Sequence, residues 1–167
     1  MYHQVIAQCA RQLDHLLAIL DRAETFAAAE GIAPEALLAE RLAPDMYPLM
    51  AQIQAACDYA KGGAAHLSGQ TPPRHPDDEQ TFAEARARVR KTLDYMRGVA
   101  PAAFADAAER TIQLPWKAAP VAAEAYALQV VLANVYFHTG IAYAILRKRG
   151  VNIGKADFLG EIYRRDA

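Results

Sequence analysis

Two polar residues in one long uncharged segment are the strongest candidates for chemistry in this chain. Asn134 and His138 lie in "NVYFHTGIAYAIL", and their four-residue spacing places both side chains on one face of a helix. There they can share a water, a ligand or a metal ion, or form a hydrogen-bonded pair in the core. A histidine can act as a general acid or base and binds zinc or nickel strongly, whereas an asparagine amide is a weak neutral ligand. The pair alone therefore leaves a site and a buried network both open.

Other signatures of catalysis are missing from the sequence. "GVNIGKA" resembles a phosphate-binding loop, but it is one residue short between its glycines, lacks Ser or Thr after Lys155 and follows a helix. No GxSxG, CxxC or Gly-rich dinucleotide loop occurs. Cys9 and Cys57 lie among apolar residues, and neither has a histidine at the spacing of a nucleophilic pair. We expect two reduced core thiols in a cytoplasmic protein.

The elements that must position Asn134 and His138 are helices with apolar stripes. Residues 4–29 carry apolar side chains at steps of three and four, which predicts one long helix. A second long helix is predicted to begin at "DMYPLM", with Asp45 as a capping residue and Pro48 in the first turn. The pair Gly62–Gly63 predicts fraying or a kink in this helix. The uncharged segment forms the fourth long helix, from near Pro120 to the basic residues 147–149.

The third long helix and the connections complete the predicted architecture. The third helix opens at "DDEQTF", where Asp77 and Gln80 have the spacing of a capping box. A run of cations on this helix is predicted to be a solvated face (Arg86, Arg88, Arg90, Lys91, Arg97). "SGQTPPRHP" predicts a stiff loop with an exposed His75, "APEALLAERLAP" and "PAAFADAAER" predict short helices, and "TIQLPW" predicts an extended piece. Together these patterns predict an all-α four-helix bundle spanning residues 1–167 as a single domain.

Length and composition narrow the classes of partner. The chain has 167 residues, 53% of them hydrophobic, and a net charge of −1. This balance gives no attraction to nucleic acid or to an anionic membrane. The stretch Ala125–Leu146 has no charged residue, but its polar side chains make it a poor membrane-spanning helix, so we expect a core helix. Because that helix is apolar almost all round, we also expect a homodimer with this helix near the interface.

Three segments closely resemble a bacterial family of unknown function within the DinB/YfiT-like superfamily of four-helix bundles. They are "RLAPDMYPLMAQIQAACDYAKG", "TFAEARARVRKTLDYMRG" and "NVYFHTGIAYAILRKRGVNIGKADFLG". The resemblance runs from about Leu13 to Gly160, and the segments keep the family's order. It implies a bundle fold, whereas it implies little about activity because the family has no established one.

The wider superfamily implies a divalent metal site held by three histidines, of which this chain keeps one. Its members resemble proteins that hold the ion through three histidines, one from the second helix and two from an HxxxH on the fourth. By that resemblance Asn134 stands at the first HxxxH histidine and His138 at the second, with Ile141 where glutamine is usual. The second helix has no histidine, and Asp45 is the one charged candidate near its start. A zinc or nickel site at His138 is therefore incomplete.

Two hypotheses follow for the function. The first is a small enzyme or small-molecule-binding protein with a polar pocket between helices two and four. In it His138 is the acid, base or metal ligand, Asn134 orients the ligand or a water, and Asp45 tunes His138. The second is a non-catalytic homodimer in which these groups form a buried hydrogen-bond network.

Overall fold

The computed structural model of this chain describes residues 1–163 and consists mainly of helices. The α-helices are α1 (Tyr2–Ala29), α2 (Pro34–Leu38), α3 (Leu49–Ser68), α4 (Phe82–Gly98), α5 (Ala123–Ala125), α6 (Ala133–Lys148) and α7 (Lys155–Leu159). A π-helical segment, Tyr126–Leu132, joins α5 to α6, and 3-10 turns cover Pro101–Phe104, Ala107–Glu109 and Glu161–Tyr163. Positions 164–167, at the end of the predicted domain, lie outside the described residues.

The four long helical segments pack as the predicted bundle. The helix α3 makes its most extensive contact with α6 and also packs on α4 and α1, while α1 contacts α4 and α6. Burying each large aliphatic side chain between these helices contributes roughly 1.5–3 kcal/mol. Fully buried members of this core include Leu13, Leu16, Leu20, Leu49, Ile53, Phe82, Ile145 and Leu146. The prediction of an all-α bundle with short extra helices in its connections is confirmed.

The beginning and the middle of α3 differ from the prediction. Pro48 occupies the N-cap position, and no side chain caps this end of the helix. Asp45 is exposed and three residues further back, so the prediction that it caps the helix is wrong. The fraying predicted at Gly62–Gly63 is also wrong, because α3 continues without interruption to Ser68. Both glycines are buried against the fourth helical segment, where packing outweighs their poor helix propensity.

The helix α4 begins later than predicted. Thr81 is its N-cap: the Thr81 hydroxyl accepts from the Glu84 N–H at 3.2 Å, and the Glu84 carboxylate accepts from the Thr81 N–H at 2.9 Å. The capping box therefore lies at Thr81–Glu84, and its predicted place at Asp77–Gln80 is wrong. Asp77 is instead in an ion pair with Arg88.

The fourth long segment contains a feature that the periodicity did not predict. Residues Tyr126–Leu132 form a π-helix, a rare widened geometry that is frequent at functional sites. A β-carbon built on Gly63 of α3 would lie 2.5 Å from Cγ1 of Val131, closer than two such atoms can approach. Only glycine allows α3 and the π-segment to come this near.

A short hairpin and the tail complete the description. The strands β1 (Thr111–Ile112) and β2 (Val121–Ala122) pair antiparallel, which confirms the short extended piece predicted in "TIQLPW". The helix α7 packs on α1, and the Phe158 ring lies 5.5 Å from the ring of Tyr143 on α6. The tail thus covers one part of the apolar surface of α6, whereas Phe137 stays 54% exposed.

The helical stretch Ala123–Lys148 is long and apolar enough to cross a membrane by length and composition. In the structure it packs against α1 and α3, and Val135, Ala142 and Ile145 on it are fully buried. One face of this stretch therefore belongs to the bundle core, as expected, while 33% of its most apolar window is buried within the described residues.

Candidate functional site

His138 faces the second long helix, α3. Its side chain is buried, and its Nδ1 lies 2.7 Å from Oε1 of Gln52. Because an amide oxygen only accepts, Nδ1 carries the proton and donates it, which leaves the lone pair of the neutral ring on Nε2. Burial lowers the pKa of His138 below its ordinary 6.5, so the ring is neutral at neutral pH. The Tyr59 ring stacks on the imidazole with a centroid distance of 5.6 Å.

Gln52 extends this contact into a chain of hydrogen bonds. The Gln52 side chain is buried, and its Nε2 donates to the Tyr47 carbonyl at 3.1 Å. The amide therefore connects α6, α3 and the turn before α3 in one network. Sequence reasoning missed Gln52. The signal available was its position beside Leu49, Ile53 and Ala56 on the buried stripe of α3.

The other two predicted site residues do not join His138 through a hydrogen bond. Asn134 is half-buried, and its Nδ2 donates to the Val130 carbonyl one turn earlier at 2.7 Å. This N–H of the amide is therefore bonded within its own helical segment. Asp45 is exposed, and within residues 1–163 it has no hydrogen bond or ion pair. The catalytic roles of His138, Asn134 and Asp45 stay a prediction.

The donor set around His138 does not fit a divalent metal ion. Among residues 1–163, no group of three or more His, Cys, Asp or Glu side chains lies close enough to hold one. The residue that faces His138 from the second long helix is Gln52, a weak neutral oxygen donor, and that oxygen accepts the proton of Nδ1. A zinc or nickel ion would find one strong ligand here, where four-coordinate sites use three or four.

A cavity of about 420 Å³ opens between α3, the π-segment and two connecting loops. This volume is within the range of small-molecule sites. We call it the lateral cavity. Its apolar and aromatic lining consists of Tyr59, Gly62, Pro72, Pro73, Leu114, Pro115, Trp116, Tyr126 and Val130, and its polar lining of Asp58, Lys61, His66, Arg74, His75 and Gln113. Tyr59 links the two regions, because it lines the cavity and stacks on His138.

A hydrogen-bonded pair of titratable groups stands in the lateral cavity. Nδ1 of His66 on α3 lies 2.9 Å from the hydroxyl of Tyr126, the first residue of the π-segment. Burial lowers the pKa of His66 below 6.5 and, together with the neighbouring Tyr59, raises the pKa of Tyr126 to about 12. Both groups are therefore neutral at physiological pH. Neither was identified from the sequence, since they are 60 positions apart and no short spacing pattern connects them.

The loop that forms one wall of the cavity is tied to the bundle by Arg88. Its side chain is 1% exposed; Nη1 donates to the Pro76 carbonyl at 2.8 Å and to Glu79 at 3.0 Å. Nη2 lies 2.9 Å from Asp58 and 2.8 Å from Asp77, as a charge contact rather than an aligned hydrogen bond. The prediction of a solvated cationic face is therefore wrong at Arg88. It fails there because three carboxylates replace the water that the guanidinium loses.

His75, on the same loop, also differs from the prediction in its exposure. It was expected to be exposed, but it is buried, with 9% of its surface accessible. The loop folds back onto the bundle because Arg88 holds its carbonyl and carboxylate groups. Burial and the nearby charges of Lys61, Lys91 and Arg88 lower the pKa of His75, so it adds a neutral ring to the cavity wall.

The all-α bundle agrees with the comparisons with known proteins. The sequence model of a family described as "domain of unknown function (DUF1993)" matches residues 1–159. The chain is also similar to a DinB family member from Shewanella denitrificans with a crystal structure. The two are 40% identical, the match covers 99% of this chain and 95% of that one, and the TM-score is 0.92. No curated protein matches. The chain belongs to the DUF1993 family, a DinB-like family of unknown function.

Proposed function

We propose that this protein binds a small aromatic molecule in the lateral cavity. The observation that carries the proposal is the His66–Tyr126 hydrogen bond of 2.9 Å in a cavity whose lining includes Tyr59, Trp116 and three prolines. Small-molecule sites combine an apolar lining with a few polar groups that orient the ligand. A π-helical segment that supplies Tyr126 agrees with a functional role.

One residue predicted from the sequence, His138, contacts the wall of this cavity. His138 stacks on Tyr59, and Tyr59 lines the lateral cavity. We assign to His138 and Gln52 the role of fixing the register of α3 against α6 and the orientation of Tyr59. No metal takes part in this proposal.

Calorimetry with 2-naphthol, a neutral bicyclic aromatic probe, tests the proposal. We expect saturable binding to the wild-type protein. We expect binding to be lost in Gly62→Leu, because a β-carbon at Gly62 has only the Tyr126 hydroxyl within 4 Å, at 3.6 Å, and a larger side chain would fill the cavity. The matched control is Gly98→Leu, at an exposed glycine whose added β-carbon would meet nothing within 4 Å. Absence of heat with wild type, or equal binding to Gly62→Leu, would overturn the proposal.

A second candidate function is that of a homodimeric interaction protein in a cytoplasmic setting. It is favoured by Phe137, which is 54% exposed in the middle of the uncharged fourth helix, with Leu128 on the same helix 39% exposed. Cys9 and Cys57, both buried and unpaired, agree with a reducing compartment.

Light scattering at micromolar concentration tests the homodimer. We expect twice the chain mass of 18.2 kDa for wild type and a single chain mass for Phe137→Ser. Ile162→Ser is the control, because Ile162 is an exposed apolar residue outside the fourth helix. A wild-type protein that is monomeric under these conditions contradicts this candidate.

A further inference from the structure

We propose that the connection between α3 and α4 is a movable gate of the lateral cavity, which a latch at Arg88 holds closed and which opens for ligand entry and release. We call residues 70–80 the strap. The inference rests on the proposed function, because it concerns how a ligand reaches that cavity. Its basis is the way in which the strap is attached to the bundle and the open space on both of its sides.

The strap has polar attachments at its two ends and none in its middle. At the first end the Gln70 N–H donates to the Ala65 carbonyl at 2.8 Å, and the Tyr95 hydroxyl donates to Oε1 of Gln70 at 3.1 Å. The second end is bound by Arg88. Within residues 1–163, the segment 71–75 has no hydrogen bond or ion pair. The part of the strap that lines the cavity is therefore held by polar contacts only through its ends.

The latch is the buried guanidinium of Arg88 on α4. It donates to the Pro76 carbonyl at 2.8 Å and pairs with Asp77 at 2.8 Å and with Glu79 at 3.0 Å, so three groups of the strap meet one cation. The same guanidinium lies 2.9 Å from Asp58, a residue of the cavity lining. The Asp77 side chain is 61% exposed, so water can replace its contact with Arg88 at low cost.

Open space lies on both faces of the strap. In front of it is the lateral cavity of about 420 Å³, and behind it is a recess of about 240 Å³ against α4. The recess is lined by His75, Pro76 and Glu79 of the strap and by Ala87 and Arg88 of α4, and His75 lines both spaces. Because neither face is packed at the density of a protein core, the strap can move without overlapping the helices.

His75 gives the closed strap a cost that opening removes. It is 9% exposed, and its buried Nδ1 has no hydrogen-bond partner among residues 1–163. A buried polar atom without a partner has lost the hydrogen bond that water gives it in solution. Displacement of the strap returns Nδ1 to water and so offsets part of the loss of the Arg88 contacts. The free energies of the closed and the open strap are therefore closer than the latch contacts alone suggest.

Three prolines make the strap a stiff unit. Pro72, Pro73 and Pro76 have fixed φ angles, so the change of backbone angles on opening falls on residues that flank them. Gly69 ends α3 and directly precedes the strap, with a φ of 76°. Glycine adopts a wider range of backbone angles than any other residue, so Gly69 is suited to be the hinge.

Stopped-flow kinetics of 2-naphthol binding, followed by the fluorescence of Trp116, tests the inference. Asp77→Lys places a cation beside Arg88 at an exposed position and should favour the open strap. We expect the association and dissociation rate constants both to rise about fivefold, the factor that corresponds to the loss of a partly exposed ion pair. The Kd should stay the same, because a gate changes entry and exit equally. The control is Asp94→Lys, the same charge change at an exposed carboxylate of α4 that has no ion pair within residues 1–163, and it should leave both rate constants unchanged.

The outcomes separate this inference from the proposed function. Gln54→Ala carries the same test if Asp77→Lys does not fold, because it removes the 2.9 Å hydrogen bond from α3 to Glu79 at the latched end. Rate constants equal to those of wild type in the folded variant, or raised equally in Asp94→Lys, would overturn the gate and leave the cavity as a binding site. A rise in the dissociation rate constant alone, with weaker binding, would also overturn it, since the strap would then act as a ligand contact. If wild type shows no saturable binding of 2-naphthol, the proposed function itself falls.

Discussion

Gly63 and Val131 are in such close contact that no β-carbon fits between them. A β-carbon built on Gly63 would lie 2.5 Å from one Val131 methyl and 2.9 Å from the other. This approach brings the π-segment against α3 and holds Tyr126, five residues earlier, within hydrogen-bond distance of His66. The geometry of the lateral cavity therefore depends on a close contact between the sequence neighbours of two lining residues, Gly62 and Val130.

Substitution of the two adjacent glycines by alanine should have opposite effects. At Gly62 the new methyl group is in ordinary contact, 3.6 Å from the Tyr126 hydroxyl, so the gain in helix propensity of about 1 kcal/mol should appear. At Gly63 the stiff Val131 side chain must shift, and overpacking typically costs about 1–3 kcal/mol. We expect Gly63→Ala to be less stable than Gly62→Ala by about 1–3 kcal/mol in urea unfolding. Equal stabilities would show that the Gly63–Val131 contact is looser than described.

Removal of Arg88 should destabilise the protein and release the cavity wall. Arg88→Met leaves Glu79, with an 11% exposed side chain, without its cation, whereas the half-exposed Asp58 keeps its ion pair with Lys61. Breaking a buried ion pair costs about 3–5 kcal/mol, and solvent at Asp58 reduces this, so we expect a loss of about 2–3 kcal/mol. Protease cleavage within residues 69–81 should become faster as this loop detaches.

Arg97→Met on the same helix is the matched control for Arg88→Met. Arg97 pairs with Asp14 at 2.6 Å, but both side chains are at least 40% exposed. Surface pairs of this kind contribute about 0–1 kcal/mol, and no change in loop cleavage is expected. Similar losses of stability in the two variants would show that the buried ion pairs of Arg88 contribute no more than a surface pair.

Stability should fall as the pH falls from about 7.5 to about 5.5. Burial lowers the pKa of His66, His75 and His138 below 6.5, so the unfolded chain binds protons that the folded chain does not. Their contribution is complete above the unfolded pKa and is lost as the pH falls through the folded one. Tm measured across this range should fall less steeply for His138→Gln than for wild type, with His3→Gln at an exposed position as control. A parallel decline in wild type and His138→Gln would contradict the neutral, buried state of His138.

The role of His138 can be separated from metal binding by one variant. In His138→Ala the buried Gln52 oxygen loses its donor, and an unsatisfied buried group costs about 1–3 kcal/mol. We expect this loss of stability in thermal unfolding, with no stoichiometric zinc or nickel in wild type purified from metal-supplemented medium. One metal ion per wild-type chain that is absent from His138→Ala would show that a metal site exists at this position.

The sequence was informative where a pattern is local. The apolar stripes predicted the long helices and the burial of residues such as Leu13 and Ile53. The uncharged segment of the fourth helix indicated that His138 is a polar group on a core helix. In the structure His138 is buried on that helix and faces α3. Local spacing was enough for these features because helical periodicity sets which side chains share a face.

The features that could not be predicted from the sequence depend on contacts between distant segments. The Gln52 partner of His138 is 86 residues away from it, and the burial of His75 follows from the ion pairs of Arg88 rather than from its own loop composition. Asp45 seemed suitable as a cap because of its residue type, but Pro48 already occupies that position. Such tertiary contacts override local propensity, and a single sequence does not encode their partners in any short pattern.

The indole N–H of Trp116 provides the most direct measurement of the central claim, that the lateral cavity binds a small aromatic molecule. Trp116 is the one tryptophan of the chain and lines this cavity, so it gives a single indole resonance in a ¹H–¹⁵N spectrum. On titration with 2-naphthol we expect this resonance to shift to saturation in wild type and in Gly98→Leu, and to stay in place in Gly62→Leu. An indole resonance that does not move in wild type up to the solubility limit of 2-naphthol, or that moves equally in Gly62→Leu, would contradict the account.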